Sequence, residues 1–192
     1  MGKEIEIRNK LLSKEDVLNF FDKRGIKPSV LKHQIDTYYD NPEDSLFKDP
    51  NNINIWIRIR EENGKLIFTY KHWLPEEAKI KTYCEEKEYP MNSKQELPKY
   101  LKELGFNGNF VPFIVTDKKR QCFAYKDCEI AIDEVKGLGS YIEIEYKGKN
   151  NDDVDMIRKF LNEVLIEINA KVGPADQNGY AYQIFKKQKI KS

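Results

Sequence analysis

Glu4, Glu6 and Arg8 occupy alternate positions of Glu4-Ile5-Glu6-Ile7-Arg8, with Ile5 and Ile7 between them. Successive side chains of an extended chain point to opposite faces. Two carboxylates and a guanidinium therefore share one face, and two isoleucines share the other. Paired carboxylates repel unless a cation lies between them, and their oxygens suit hard cations such as Mg²⁺ or Mn²⁺. Arginine and lysine supply fork and point-charge donors to phosphate oxygens. A single strand of this kind is an ordinary solvated sheet face. Here the pattern recurs: Glu129 and Asp133 alternate with Ile130 and Ile132, and Glu143 and Glu145 with Ile142 and Ile144. Two further stretches carry paired cations instead, Arg58 with Arg60 and Lys118 with Arg120, and the neighbouring strand ends on Lys71. Solubility calls for scattered charge, not for signs sorted strand by strand. Cations facing a carboxylate cage are the equipment of phosphoryl chemistry, where positioning and charge stabilisation do most of the work. No GxxxxGK[ST] run is present, so a Walker-type loop is excluded.

These residues need a sheet to bring them together. Gln34 to Asp40, Ile53 to Arg60, Leu66 to Lys71, Lys81 to Tyr89, Phe113 to Tyr125, Glu129 to Val135 and Tyr141 to Tyr146 read as further strands. Ile53, Ile55, Ile57 and Ile59 are expected on one face of theirs, with Trp56, Arg58 and Arg60 opposite. Pro42 to Asn54 and His72 to Ile80 read as loops, Glu62-Asn63-Gly64-Lys65 and Gly137-Leu138-Gly139 as turns. Ser13 with Asp16, and Ser93 with Glu96, mark the starts of short helices that Gly25 and Gly105 follow. Asn151 opens the longest helix, with Val154, Ile157, Phe160, Leu161, Val164, Leu165 and Ile168 at helical spacing. If about eight strands close into a barrel, the charged faces meet in the lumen and the isoleucines face outward under the helices. The expected architecture is α+β, an antiparallel eight-stranded closed β-barrel with helices packed outside.

Length and composition fit that reading. The 192 residues suit one domain, taken as 1–185, followed by a basic tail over 186–192 that reads as solvated. Lys+Arg 33 against Asp+Glu 32 leave a net charge of +1, unlike the basic excess of a general nucleic-acid binder. No apolar run is long enough to span a membrane, and the first residues carry no signal-peptide core. Cys84, Cys122 and Cys128 show no CxxC spacing, which reads as a reduced, cytoplasmic protein with small core cysteines. His33 and His72 have no third ligand pattern and read as surface or packing residues. Trp56 and Trp73 are open between stacking on a base and anchoring core or loop.

The order of these motifs resembles the CYTH domain, or triphosphate tunnel metalloenzyme, superfamily. Glu4-Ile5-Glu6-Ile7-Arg8 resembles its ExExK signature, with arginine in place of the usual lysine. Gln34-Ile35-Asp36-Thr37-Tyr38-Tyr39-Asp40 is similar to the second-strand motif, and Ile57-Arg58-Ile59-Arg60-Glu61 with Lys71 to the arginine strand and its partner lysine. Asp117-Lys118-Lys119-Arg120, the run Ile132 to Gly139, and Ile142-Glu143-Ile144-Glu145 follow in the family's order. Lys118-x-Arg120 and the Asp133…Gly137-Leu138-Gly139…Glu143 block resemble class IV adenylyl cyclases, whereas the doubled arginine strand resembles the triphosphatases.

The resemblance implies Mg²⁺ or Mn²⁺ held by Glu4, Glu6 and Glu143, with Asp133 or Glu145 assisting. It implies a triphosphate gripped by Arg8, Arg58, Arg60, Lys71, Lys118 and Arg120, with Lys71, Lys118, Arg120 and Glu85 as catalytic candidates. The general base stays open, Glu85 and Tyr180 being read equally well as lumen or structural residues. The expected function is conversion of ATP to cyclic AMP and pyrophosphate. The alternatives are hydrolysis of inorganic, nucleoside or thiamine triphosphate, and a non-catalytic polyphosphate- or nucleotide-binding module. The expected partner is a small triphosphate, with no nucleic acid or membrane, and the exposed barrel faces are compatible with a homodimer.

Overall fold

The computed structural model describes residues 2–49, 52–78, 81–149 and 153–191. Expectations touching Pro50, Asn51, Ile80, Asn151 and Ser192 lie outside them. Among the described residues, ten strands form one antiparallel sheet and four α-helices pack against it. The strands are β1 (Gly2–Glu4), β2 (Glu6–Leu11), β3 (Val30–Asp40), β4 (Ile55–Glu62), β5 (Lys65–Leu74), β6 (Tyr83–Met91), β7 (Val111–Tyr125), β8 (Cys128–Val135), β9 (Gly139–Tyr146) and β10 (Val172–Ala175). The helices are α1 (Lys14–Asp22), α2 (Leu97–Glu103), α3 (Val154–Ile168) and α4 (Gly179–Lys191).

The expected closed eight-stranded barrel is corrected to a curled sheet in the order β1-β6-β5-β4-β3-β7-β8-β9-β2-β10. The reason is a break at Ile5. Glu4 pairs with Cys84 of β6, whereas Glu6 pairs with Glu145 of β9, so consecutive strands hydrogen-bond to opposite ends of the sheet. The curl thus brings both ends of the sheet within one residue of each other along the chain. β10 then adds to the free edge of β2, Val172 opposite Leu11.

The isoleucine faces turn outward as expected. Ile5, Ile7, Ile130, Ile132, Ile142 and Ile144 pack under α1 and α3, against Val17, Phe20, Phe21, Leu161 and Val164. Ile57 and Ile59 pack with Phe68 under α2, on Leu97, Tyr100 and Leu101. Each such side chain removed from water contributes about 1.5–3 kcal/mol, so this layer holds the sheet in its curl whatever the lumen costs.

Some local signals are borne out and others are not: Ser93 makes no side-chain cap, and β5 runs on to Leu74 into the expected His72 to Ile80 loop. Ser13 Oγ accepts from Asp16 N–H at the start of α1, 3.4 Å away. The Asp153 carboxylate accepts from Met156 N–H and caps α3. Asn169 ends that helix in the left-handed region at φ 55°, where asparagine is tolerated. Ser93 precedes one 3₁₀ turn (Lys94–Glu96), and α2 begins only at Leu97. β4 starts at Ile55, so Ile53 stays in the connection and lines the lumen instead of joining the outer isoleucine face. Lys186 and Lys187 continue α4, and the Lys187 ammonium donates to the Gly137 carbonyl at 2.8 Å.

Candidate active site in the lumen

The inner face of the curl encloses a cavity of about 230 Å³. Seven carboxylates and nine lysine or arginine side chains line it, among the described residues. All but Lys81 and Lys147, which lie in connections, are placed by strand alternation, and the pairing registers decide which groups meet.

One wall is acidic. The register sets Glu6 directly opposite Glu145, and Arg8 opposite Glu143. Directly opposed like charges destabilise a sheet, and here they are also taken out of water. Burial, then Glu143, pushes the Glu6 carboxyl up to about 8, and burial, then Glu4, pushes Glu145 up to about 7. Glu143 behaves differently. Burial would raise it, but Arg120 and Arg8 outweigh burial and hold it well below the usual range. Arg8 Nε donates to Glu143 at 2.8 Å, and Arg8 also reaches Glu6 at 2.5 Å. Glu4 accepts from the Lys71 ammonium at 2.6 Å.

The adjoining wall is cationic, and aspartates organise it; the two meet where Arg120 donates to Glu143 at 2.7 Å. Asp36 takes two hydrogen bonds from the Arg60 fork, at 2.7 and 2.9 Å, and one from Arg58 at 3.3 Å. The β3–β4 register makes this triplet, setting Asp36 opposite Arg60 and Tyr38 opposite Arg58. Burial would raise the Asp36 carboxyl, yet Arg58 and Arg60 keep it ionised far below the ordinary value. Asp133 takes a matching fork from Arg120 at 2.7 and 2.6 Å. Tyr180 Oη donates to it at 2.9 Å, and Lys118 lies 3.5 Å away. Arg58 Nε is buried with no hydrogen-bond partner, leaving one donor unspent.

The expected residues thus converge, with two changes. Glu4, Glu6, Arg8, Arg58, Arg60, Lys71, Lys118, Arg120, Glu143 and Glu145 line one lumen. Asp133, expected beside the metal-binding carboxylates, is tied to Arg120, Lys118 and Tyr180 in a fully buried position. Glu85 lies on the other face of β6: Glu86 stands opposite Lys71 and lines the cavity with Glu88, whereas Glu85 stands opposite His72. Asp36 is the group that motif reading left without a role, and its signal was parity, since it shares a strand face with Gln34 and Tyr38. His33 pairs with Asp117 on the exposed surface, and the three cysteines are free and buried. Trp56 and Trp73 line the lumen near Tyr38, Trp56 meeting Tyr38 edge to face at 5.4 Å.

Whether this donor set suits a divalent cation can be judged from its chemistry. No three histidine, cysteine, aspartate or glutamate side chains converge as a ready cage among the described residues. The hard-oxygen donors Glu4, Glu6, Glu143 and Glu145 nevertheless line one lumen, and Glu6 and Glu145 are pushed toward the protonated state by burial and mutual repulsion. A dication is what that surplus of negative charge lacks, and oxygen ligands are what Mg²⁺ and Mn²⁺ take, so the residues fit the group.

Lys118 gives the site a pH dependence. Burial, then Arg120, lowers its ammonium to about 8. It is charged below that pH and neutral above it, so affinity for inorganic triphosphate is expected to fall as pH rises from 8 to 10. Titration calorimetry across that range measures it. A Lys118→Met protein should bind more weakly at pH 7 and lose this limb. An unchanged limb in the variant would sink the assignment.

Comparison with known proteins agrees with the geometry. The chain is 32% identical over 166 residues, 86% of its length and 89% of the relative's, to a Methanocaldococcus jannaschii protein provisionally named adenylate cyclase. It shares the fold of the PH1819 protein of Pyrococcus horikoshii OT3, with TM-score 0.71 at 23% identity over 96% of this chain and 99% of that one. It also shares the fold of Hippeastrum HpAC1, with TM-score 0.64 at 18% identity over 98% and 96% of the two chains. HpAC1 is described as a provisional adenylyl cyclase revealing a dominant triphosphatase activity. With the two-walled lumen on a curled antiparallel sheet and the CYTH domain model matching residues 2–173, the chain belongs to the CYTH domain family.

Proposed function

We propose that this protein is a divalent-metal-dependent enzyme acting on the triphosphate of a nucleotide, in the manner of a class IV adenylyl cyclase. The observation that carries the reading is the meeting in one lumen of an acidic wall, with Glu6 paired across the strands with Glu145, and an adjoining cation wall of Arg58, Arg60, Lys118 and Arg120, joined by the Arg120–Glu143 hydrogen bond. A binding module for phosphate alone gains nothing from the acidic wall, which costs stability through like-charge repulsion and burial. Buried groups with displaced protonation cluster at functional sites for this reason.

Glu4, Glu6, Glu143 and Glu145 would hold the Mg²⁺ or Mn²⁺. When bound, the ion supplies charge neutralisation and a template for phosphate oxygens. The protein's own part follows from the geometry. Arg58, with its unspent Nε donor, and Arg60 bind the phosphate chain, while Asp36 keeps their forks in place. Lys71, Lys118 and Arg120 take up charge developing on the leaving oxygens. In the cyclase reaction the ribose 3′-oxygen bonds to the α-phosphorus and the bond to the β-phosphate oxygen breaks. The hydroxyl proton passes to solvent water, and pyrophosphate leaves with the bridging oxygen. Tyr38, Trp56, Trp73 and Tyr182 line the same lumen and offer aromatic surface to a base.

A second reading, hydrolysis of the terminal phosphate, is supported by the size of the cavity. About 230 Å³ lies below the usual ligand pocket of about 300–1,000 Å³, which suits the triphosphate group better than a whole nucleotide. Incubation with ATP, inorganic triphosphate and thiamine triphosphate plus Mg²⁺ or Mn²⁺, followed by chromatography, separates the two. Cyclic AMP with pyrophosphate is the expected outcome. Phosphate without cyclic nucleotide selects the hydrolase, and no product from any of the three overturns the enzymatic reading.

A further inference from the structure

The first turn of α4 enters the site from outside the sheet, and it lies beyond residues 2–173, which the family model matches. Tyr180 is buried there, 5% exposed. Its hydroxyl donates to Asp133 Oδ2 at 2.9 Å. Its ring lies 4.8 Å from the Arg8 guanidinium carbon and 5.2 Å from the Lys118 ammonium, so it also presents a π face to two lumen cations. Burial, then Asp133 and Glu143, keeps the phenol protonated, so it stays a donor.

The consequence lies in how Asp133 shares its acceptors. Arg120 occupies both oxygens with its fork, and Tyr180 takes a further position on Oδ2. Lys118 is left 3.5 Å from Oδ2, outside good hydrogen-bonding range. Its ammonium has three donors and lines the lumen. Without the phenol, Oδ2 has an open acceptor next to a strong donor, and Lys118 closes onto it. The neutral donor thus satisfies the buried aspartate and keeps the lysine charge directed at whatever enters the cavity.

We propose that Tyr180 is a positioning residue of this site, holding Asp133 so that Lys118 stays available to an incoming phosphate oxygen. The inference rests on the triphosphate reading of the lumen. α4 is fixed independently by Tyr141 Oη donating to Gln183 Oε1 at 2.6 Å and by Asp176, whose backbone N–H donates to Arg8 O at 2.7 Å. Docking of the helix and positioning of Asp133 can therefore be separated by mutation.

The test is calorimetric binding of inorganic triphosphate with Mg²⁺ at pH 7, on the full chain, Tyr180→Phe, Lys118→Ala, the double variant and Gln183→Leu. Removing a hydrogen bond to a charged group costs about tenfold or more in an equilibrium, so Tyr180→Phe should bind about tenfold more weakly. In the Lys118→Ala background the same change should do almost nothing, because its effect passes through that lysine. Gln183→Leu, which loosens the helix without touching Asp133, should bind as the parent does. Equal weakening by Tyr180→Phe in both backgrounds, or by Gln183→Leu, assigns the effect to helix docking and overturns the proposal. Unchanged affinity in Tyr180→Phe overturns it while the triphosphate reading stands. A parent chain that binds no triphosphate overturns both.

Discussion

Asp36→Ala is expected to lower stability by about 3–5 kcal/mol, the cost of removing one partner from a buried ion pair. For a domain of this size that is a melting-temperature loss of about 10 °C. Asp36 is 1% exposed, and it is the carboxylate that pairs with both Arg58 and Arg60. Truncation leaves two guanidiniums side by side in a cavity already lined by Lys71, Lys118 and Arg120. The same change should make the fold more dependent on an anion. Inorganic triphosphate at about a hundred times its Kd adds roughly 2.7 kcal/mol to any protein that binds it only when folded. In Asp36→Ala the gain should exceed that of the parent, since the ligand also neutralises Arg60, left without its carboxylate, and Arg58, left with only Glu86 and Glu88 at 3.6 Å. Thermal melts with and without triphosphate measure both effects. A variant melting within a degree or two of the parent would show that Asp36 is not the organiser of the arginine pair.

Glu6→Ala should do the opposite, abolishing turnover while leaving the fold as stable as before or more so. Turnover with Mg²⁺ or Mn²⁺ should fall by about 10³-fold, the scale on which loss of a group stabilising the transition state is felt. Stability should hold because Glu6 is opposed by Glu145 across the strands and crowded by Glu143 and Glu4. Removing one of several repelling carboxylates relieves the others. Initial rates against metal concentration, with a melting curve of the same sample, test both halves. Normal turnover would remove Glu6 from the metal site, and a large drop in melting temperature would mean that its pairing with Arg8 outweighs the repulsion.

Both predictions turn on partners that the chain does not write next to one another. The paired charges of β2, β4, β7 and β9 were legible because alternation is local: Glu4, Glu6 and Arg8 share a face whatever else the chain does. The outward isoleucines were legible for the same reason, and so was the helix start at Ser13. β6 shows where such reading stops. Glu85, Glu86 and Glu88 put a carboxylate on each face of the strand, so alternation alone does not choose between them. Pairing of Lys71 with Glu86 chooses, turning Glu86 and Glu88 inward and Glu85 out.

Asp133 makes the same point about partners. Its face followed from alternation with Ile130 and Ile132. Whether it serves a cation from solution or one of the protein's own depended on Arg120 across the β7–β8 pairing and on Tyr180 from a helix 47 residues away. The break at Ile5, too, leaves no mark in composition, because it arises where one extended segment satisfies hydrogen bonds to two different neighbours. Which side chains share a face depends on the nearest covalent neighbours, and the order of residues carries that. Which charge cancels which depends on distances across pairings separated by long stretches of chain, and those exist only once the outer layer of isoleucines has curled the sheet.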